Sequence, residues 1–88
     1  MSKEEYLKGH KASGLKVGDS VLVTGDCESF EKGWNNMFVG GMKQHVSKVY
    51  KICIDRDDQG FMLDHGAQVP YYYPYFILKK ERKVWGIR

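Results

Sequence analysis

Apolar residues recur at every second position in a few short stretches of this chain and lose that rhythm elsewhere. Val21 and Val23 alternate with Ser20, Leu22 and Thr24 behind a Gly18-Asp19 turn, which predicts a first strand from about Ser20. The clearest alternation lies in His45–Asp55, where Tyr50, Ile52 and Ile54 share one face and Val49, Lys51, Cys53 and Asp55 the other. Arg56-Asp57-Asp58-Gln59-Gly60 then has the composition of a hairpin loop closed by a glycine able to take positive φ, and Phe61-Met62-Leu63-Asp64 is the returning strand. His65-Gly66-Ala67 turns again, and Gln68-Val69 leads into Pro70-Tyr71-Tyr72-Tyr73. Pro74 offers no ladder donor and holds Tyr73 extended, so Pro74-Tyr75-Phe76 is expected to turn tightly into a last strand at Ile77–Lys80. The core expected from this pattern is Val21, Val23, Tyr50 or Val49, Ile52, Ile54, Leu63, Phe76 and Leu78.

Between Gly25 and Gly41 neither a period of two nor one of 3.6 persists, which predicts one long excursion after the first strand. Within it, Gly33-Trp34-Asn35-Asn36-Met37-Phe38-Val39-Gly40-Gly41-Met42 sets large apolar side chains among glycines and asparagines. Loop backbone stays solvated and loops are usually polar, so these side chains either plug an open core or present a contact surface, and both readings stand. At the N-terminus, Lys3–Lys8 suggests a helical turn with Glu4 and Lys8 at i and i+4, broken by Gly9 and by Ser13-Gly14. The expected organisation is an N-terminal extension over 1–14, a domain over 15–80 and a basic tail over 81–88.

Short strands with one long loop predict an all-β fold, a small five-stranded, partly open barrel. Over residues 15–80 this order resembles the SH3-like barrel, which shares the Gly-Asp turn, the long loop, the hairpin strands and a Pro-containing turn before the last strand. More closely, Gly33-Trp34-Asn35-Asn36 followed by Phe38-Val39 and Met42, and later Tyr73-Pro74-Tyr75-Phe76-Ile77-Leu78, resembles a group of short uncharacterised proteins of bacteriophages and prophages. Phe38 stands where that group often has Trp, and Tyr75 where a second Pro is frequent. The resemblance implies a phage accessory protein and no particular activity.

The chain has 88 residues, enough for one domain with a small core, and 42% hydrophobic residues with 14% aromatic suit a folded rather than a disordered chain. Cys27 and Cys53 have neither CxxC spacing nor a framework of bridges, and Met1–Glu5 carries acids where a secretory signal needs basic residues, so a reduced, cytoplasmic protein is expected, in the bacterial host if phage-encoded. The net charge of +3 divides unevenly: +2 over residues 1–16, −3 over 17–78 and +4 over 79–88. A domain that tracks phosphates carries its lysines and arginines on the folded face, whereas this body would repel a polyanion.

The candidate chemistry narrows accordingly. Three histidines and two cysteines include no close ligand pair, so no metal or other cofactor is expected; Cys53 would pack against the core and the histidines would be solvated. Asp64 and His65 are strand neighbours that point apart, and Asp55, Asp57, Asp58 and Asp64 flank a hairpin where aspartate caps turns. With no Gly-rich phosphate loop either, a non-enzymatic binding module is the expectation.

Tyr71, Tyr72, Tyr73 and Tyr75 crowd beside Phe76, and a strand buries only alternate side chains, so some rings must reach a surface. The SH3-like resemblance implies that the long loop and the last turn meet at one end, placing Trp34 and Phe38 near Tyr73 and Tyr75. The candidate partner surface is therefore Trp34, Asn35, Asn36, Phe38, Tyr71, Tyr72 and Tyr75. A host protein ranks first as partner, with self-association through strand edges also open. Single-stranded nucleic acid ranks second, with stacking tyrosines and phosphate contacts from Lys79, Lys80, Arg82, Lys83 and Arg88. A nucleotide or signalling molecule between Trp34 and a tyrosine, its edges met by Asn35 and Asn36, ranks third. No membrane partner is expected, and Trp85 and Ile87 make the tail a docked or partner-binding extension.

Overall fold

The computed structural model describes residues 2–66 and 71–81. Ser2 starts its first element: the Ser2 hydroxyl accepts the Glu5 N–H at 3.2 Å and the Glu5 carboxylate accepts the Ser2 N–H at 3.2 Å, a capping box that opens helix α1, Lys3–Ala12. The helix continues through Gly9, where a break was expected. A Cβ at Gly9 would collide with the Tyr75 ring and hydroxyl, so the glycine lets Tyr75 lie against the helix, and that packing outweighs the roughly 0.5–1 kcal/mol that glycine costs in a helix. Tyr6 and His10, four residues apart, are buried together, and α1 is thereby seated on the domain.

The strands are β1 Ser20–Val23, β2 Val49–Asp55, β3 Phe61–Leu63, β4 Tyr72–Tyr73 and β5 Leu78–Lys80. They pair antiparallel in the order β4-β3-β2-β1-β5, so a five-stranded antiparallel sheet dominates this small domain, as the alternation predicts. β1 lies between its neighbours with Val21 opposite both Tyr50 and Lys80 and Val23 opposite Leu78. The hairpin loop contains a 3-10 turn, Asp57–Gln59, and closes at Gly60 with φ +102°, the positive value expected there. Pro74 leads into a second 3-10 turn, Tyr75–Ile77, and β5 begins one residue later than expected, at Leu78. The long excursion contains two more such turns, Glu31–Gly33 and Gly40–His45. The expected link through Gln68, Val69 and Pro70 lies outside the described residues.

Val21, Val23, Ile52, Leu63 and Leu78 are buried as expected. Ile54 is not: it is 36% exposed, because the β2–β3 register slips between Ile52, opposite Leu63, and Ile54, opposite Met62. The same bulge leaves Cys53 exposed instead of packed against the core. Phe76 is only half-buried, with Ile77 taking the inner place, and of the Val49–Tyr50 pair it is Tyr50 that is partly covered. The largest core side chains, Trp34, Tyr6, Tyr73, Phe61 and Met42, were outside that expectation.

Candidate functional site

The connection from β1 to β2 is built around Trp34. Its side chain is 1% exposed and its indole N–H donates to the Gln59 carbonyl at 2.7 Å, so the loop is pinned to the β2–β3 hairpin. Gly33, at φ +83°, lies against the Ser2 carbonyl and Tyr6, where a Cβ has no room, which lets the loop cross the start of α1. Asn35 adds an N–H to the Asp58 carbonyl at 2.8 Å and a side-chain amide to its carboxylate at 3.2 Å, and Lys3 approaches the same carboxylate at 3.7 Å. Of the two readings of Trp34, the structure selects the plug and corrects its assignment as a partner contact, since a side chain sealed in the core touches no partner in this conformation.

The two asparagines are likewise spent on shaping the loop. The Asn36 side-chain oxygen accepts the Met37 N–H at 2.8 Å, its main-chain carbonyl accepts the Phe30 N–H at 2.9 Å, and the Phe38 N–H donates to the Ser29 hydroxyl at 2.9 Å. Phe38 turns its ring partly inward against the core. What the loop presents instead is Phe30, 58% exposed, and Met37, 55% exposed, beside the exposed Val39. Phe30 and Lys32 hold φ of 60° and 53°, a left-handed conformation that costs non-glycine residues roughly 1–2 kcal/mol each, maintained here by the anchored segments on either side. Sequence reasoning missed Phe30; its signal was a lone aromatic in the acidic run Glu28-Ser29-Phe30-Glu31.

The same connection forms a recess of about 890 Å³ lined by Asp26, Cys27, Glu28, Ser29, Glu31, Phe38 and Lys43. The Glu31 carboxylate accepts the Glu28 N–H at 2.9 Å, and Lys43 stands 4.0 Å from Asp26. Burial, then the nearby Glu31, Asp26 and Glu28 carboxylates, push the Cys27 thiol up to about 12, so it stays protonated and is a poor nucleophile.

The tyrosines disperse. Tyr73 is buried, Tyr71 fits against Gly41, Tyr72 lies under the Arg56 guanidinium at 5.6 Å, and Tyr75 packs on Tyr6 with centroids 5.2 Å apart. The expected meeting of loop and last turn is met in part: Trp34 and Tyr73 converge on Gly60, and the Lys32 ammonium sits 4.9 Å over the Phe76 ring. Tyr71, Tyr72 and Tyr75 do not join Trp34 in one exposed surface. Among the proposed phosphate contacts, Lys79 is exposed opposite Leu22, whereas Lys80 reaches Asp19 at 3.6 Å; Arg82, Lys83 and Arg88 lie outside the described residues.

The histidines are not all solvated, contrary to expectation. His10 is buried, its Nε2 2.8 Å from an Asp55 oxygen and its Nδ1 3.4 Å from the Tyr6 hydroxyl, with its ring stacked on Phe61 at 4.2 Å. Asp55 thus tethers α1 and, as expected of a hairpin aspartate, also accepts the Asp57 N–H at 2.9 Å. The Tyr6 hydroxyl accepts the Tyr75 N–H at 3.3 Å, and burial raises its pKa, so the Asp55–His10–Tyr6 chain ends at a group no substrate can reach. His45 and His65 stack at 4.1 Å beside Tyr50, Tyr71 and Tyr73, and His45 Nδ1 shares a hydrogen bond with the Tyr50 hydroxyl at 2.8 Å. Among the described residues no three His, Cys, Asp or Glu side chains converge as metal ligands would, and no helix is long and apolar enough to cross a membrane.

Burial, followed by Lys48, lowers the pKa of His45; burial and then His45 lower that of His65, with Asp64 opposing. The unfolded chain therefore takes up protons first, near a histidine pKa of about 6.5, and stability present above that pH is lost as the pH falls through it toward the folded values. Urea midpoints measured from pH 7.5 to 5.5 should decline, and His45→Gln with His65→Gln should flatten the decline. A midpoint independent of pH in the unsubstituted chain would contradict this. Comparison of the chain with family models, with curated proteins and with solved structures returned no match.

Proposed function

We propose that the chain is a small non-enzymatic binding module, a phage accessory protein that binds and modulates a host protein in the host cytoplasm, and that it acts through its β1–β2 connection on an SH3-like framework. Support for the framework comes from the strand order β4-β3-β2-β1-β5 and the 3-10 turn that enters β5. The observation that carries the binding reading is the loop itself: Trp34 and the two asparagines lock a strained segment whose outcome is to hold Phe30 and Met37 in solvent. A rigid aromatic presented this way loses little conformational entropy on binding. Trp34 and the asparagines serve by anchoring, and the contact residues move to Phe30 and Met37.

Phe30→Ser and Met37→Ser should each weaken binding to a host protein captured from lysate and identified by mass spectrometry by about 1–3 kcal/mol. Both side chains are exposed, so the melting temperature should hold. Equal recovery of the same host protein by the double variant would overturn the reading. For nucleic acid, the specific observation in favour is the exposed Lys79 on the sheet. True phosphate contacts would give a log affinity that falls with log salt by about 0.7 per contact for a single strand; the acidic body and the Lys80–Asp19 pair favour weak binding that salt abolishes. The small-molecule reading loses its support, since Trp34 is buried and both asparagines are engaged.

A further inference from the structure

The recess combines an apolar wall, Phe38, with an edge of three acids, Asp26, Glu28 and Glu31, against Lys43 in its lining and Lys32, which stands 4.0 Å from the Glu31 carboxylate. The chain carries the complementary pattern at its own C-terminus. In Arg82-Lys83-Val84-Trp85-Gly86-Ile87-Arg88, cations bracket an apolar pair, Trp85 and Ile87. We propose that the recess receives residues 82–88 of a second copy of this chain, Trp85 against Phe38 and the cations against the acidic edge. This rests on the reading of the β1–β2 connection as the recognition element and adds a second partner to the host protein.

A second copy is required by where the chain leaves the sheet. The Glu81 N–H donates to the Ser20 carbonyl at 2.8 Å, so the tail departs beside the start of β1, while the recess hangs from the loop that follows the other end of that strand. Trp85 lies four residues beyond Glu81, a reach of at most about 14 Å, and a path back to its own recess would have to run against the direction of β5. β1 alone covers about 10 Å of that span, with Thr24 and Gly25 still to cross before the first lining residue. Docking between copies is head-to-tail, each molecule giving a tail and receiving one, so association grows with concentration and forms chains or rings. A seven-residue segment buries less than a standard interface, so the association is weak, and the charge pairing makes it salt-sensitive.

Sedimentation velocity of the full chain in reductant, from about 5 μM to about 1 mM, tests this. The expected result is a mass that rises with concentration and falls back in 0.5 M salt. Deleting residues 82–88 and substituting Asp26→Lys with Glu28→Lys should each abolish the rise. Asp26 and Glu28 are exposed, and circular dichroism confirms folding of each variant. Mixing the two variants, one with an intact recess and the other with an intact tail, should restore association that stops at a dimer. A full-length chain that stays monomeric throughout, or variants that associate as the parent does, would overturn the proposal. A tail-deleted chain that stays monomeric yet still captures the host protein, with capture lost on Phe30→Ser, leaves the loop reading standing, so the two failures separate.

Discussion

Trp34→Ala should cost about 3–5 kcal/mol in stability, the usual range for deleting a large buried aromatic. A domain of 88 residues has about 4–13 kcal/mol in total, so the variant should lose a large share of its cooperative unfolding transition. The side chain is among the largest fully buried ones, and its indole N–H is bonded to the Gln59 carbonyl, which would be left to find water in the cavity. Trp34→Phe keeps most of the apolar volume and should lose about 1–2 kcal/mol, chiefly the hydrogen bond. Urea titrations followed by circular dichroism give both values. An alanine variant as stable as the parent but unable to bind would return Trp34 to the surface and undo the account of the loop.

Gly60→Ala should cost more than about 3 kcal/mol. Its φ of +102° and ψ of −158° belong to a region that side chains enter only with a strain of roughly 1–3 kcal/mol. A Cβ there would also strike the Tyr73 carbonyl and come within 3.1 Å of Trp34 Nε1. Gly66→Ala is the control, because Gly66 also has positive φ, +74°, but open space around it. Thermal unfolding should show a fall of more than about 10 °C for Gly60→Ala and a few degrees for Gly66→Ala. Equal shifts would mean that conformation alone matters and that the hairpin does not press against Trp34. Because Gly60 and Trp34 share a contact, the two losses should combine to less than their sum.

These two residues mark the division between what was legible in the chain and what was not. Val21, Val23, Ile52, Leu63 and the glycine that closes the hairpin follow from local patterns of period and turn chemistry, and all of them hold. Gly60 was legible as a turn residue, but not as the neighbour of Trp34, which is 26 positions away in sequence. Gly9 was misread because glycine breaks helices by default, and only the Tyr75 ring across the fold gives this one a reason to sit in α1. Ile54 was misplaced because alternation assumes an unbroken ladder and the bulge at Cys53 shifts it. At the candidate site the apolar loop was legible and its orientation was not: Trp34 and Phe30 are both large aromatics in an unperiodic segment, and which one turns inward depends on the hairpin, the helix start and Asn36.

The bulge in β2 also divides the chain's thiol chemistry. Cys53, turned into solvent, is open to oxidants and alkylating reagents, while burial and then the nearby carboxylates hold Cys27 protonated. In air, two molecules can couple through Cys53 into a disulfide-linked species unrelated to the recess. Once the disulfide has been reduced and the reductant removed, the same exposure becomes useful, since a maleimide fluorophore can be placed on Cys53 in β2, away from the loop and the hairpin turn.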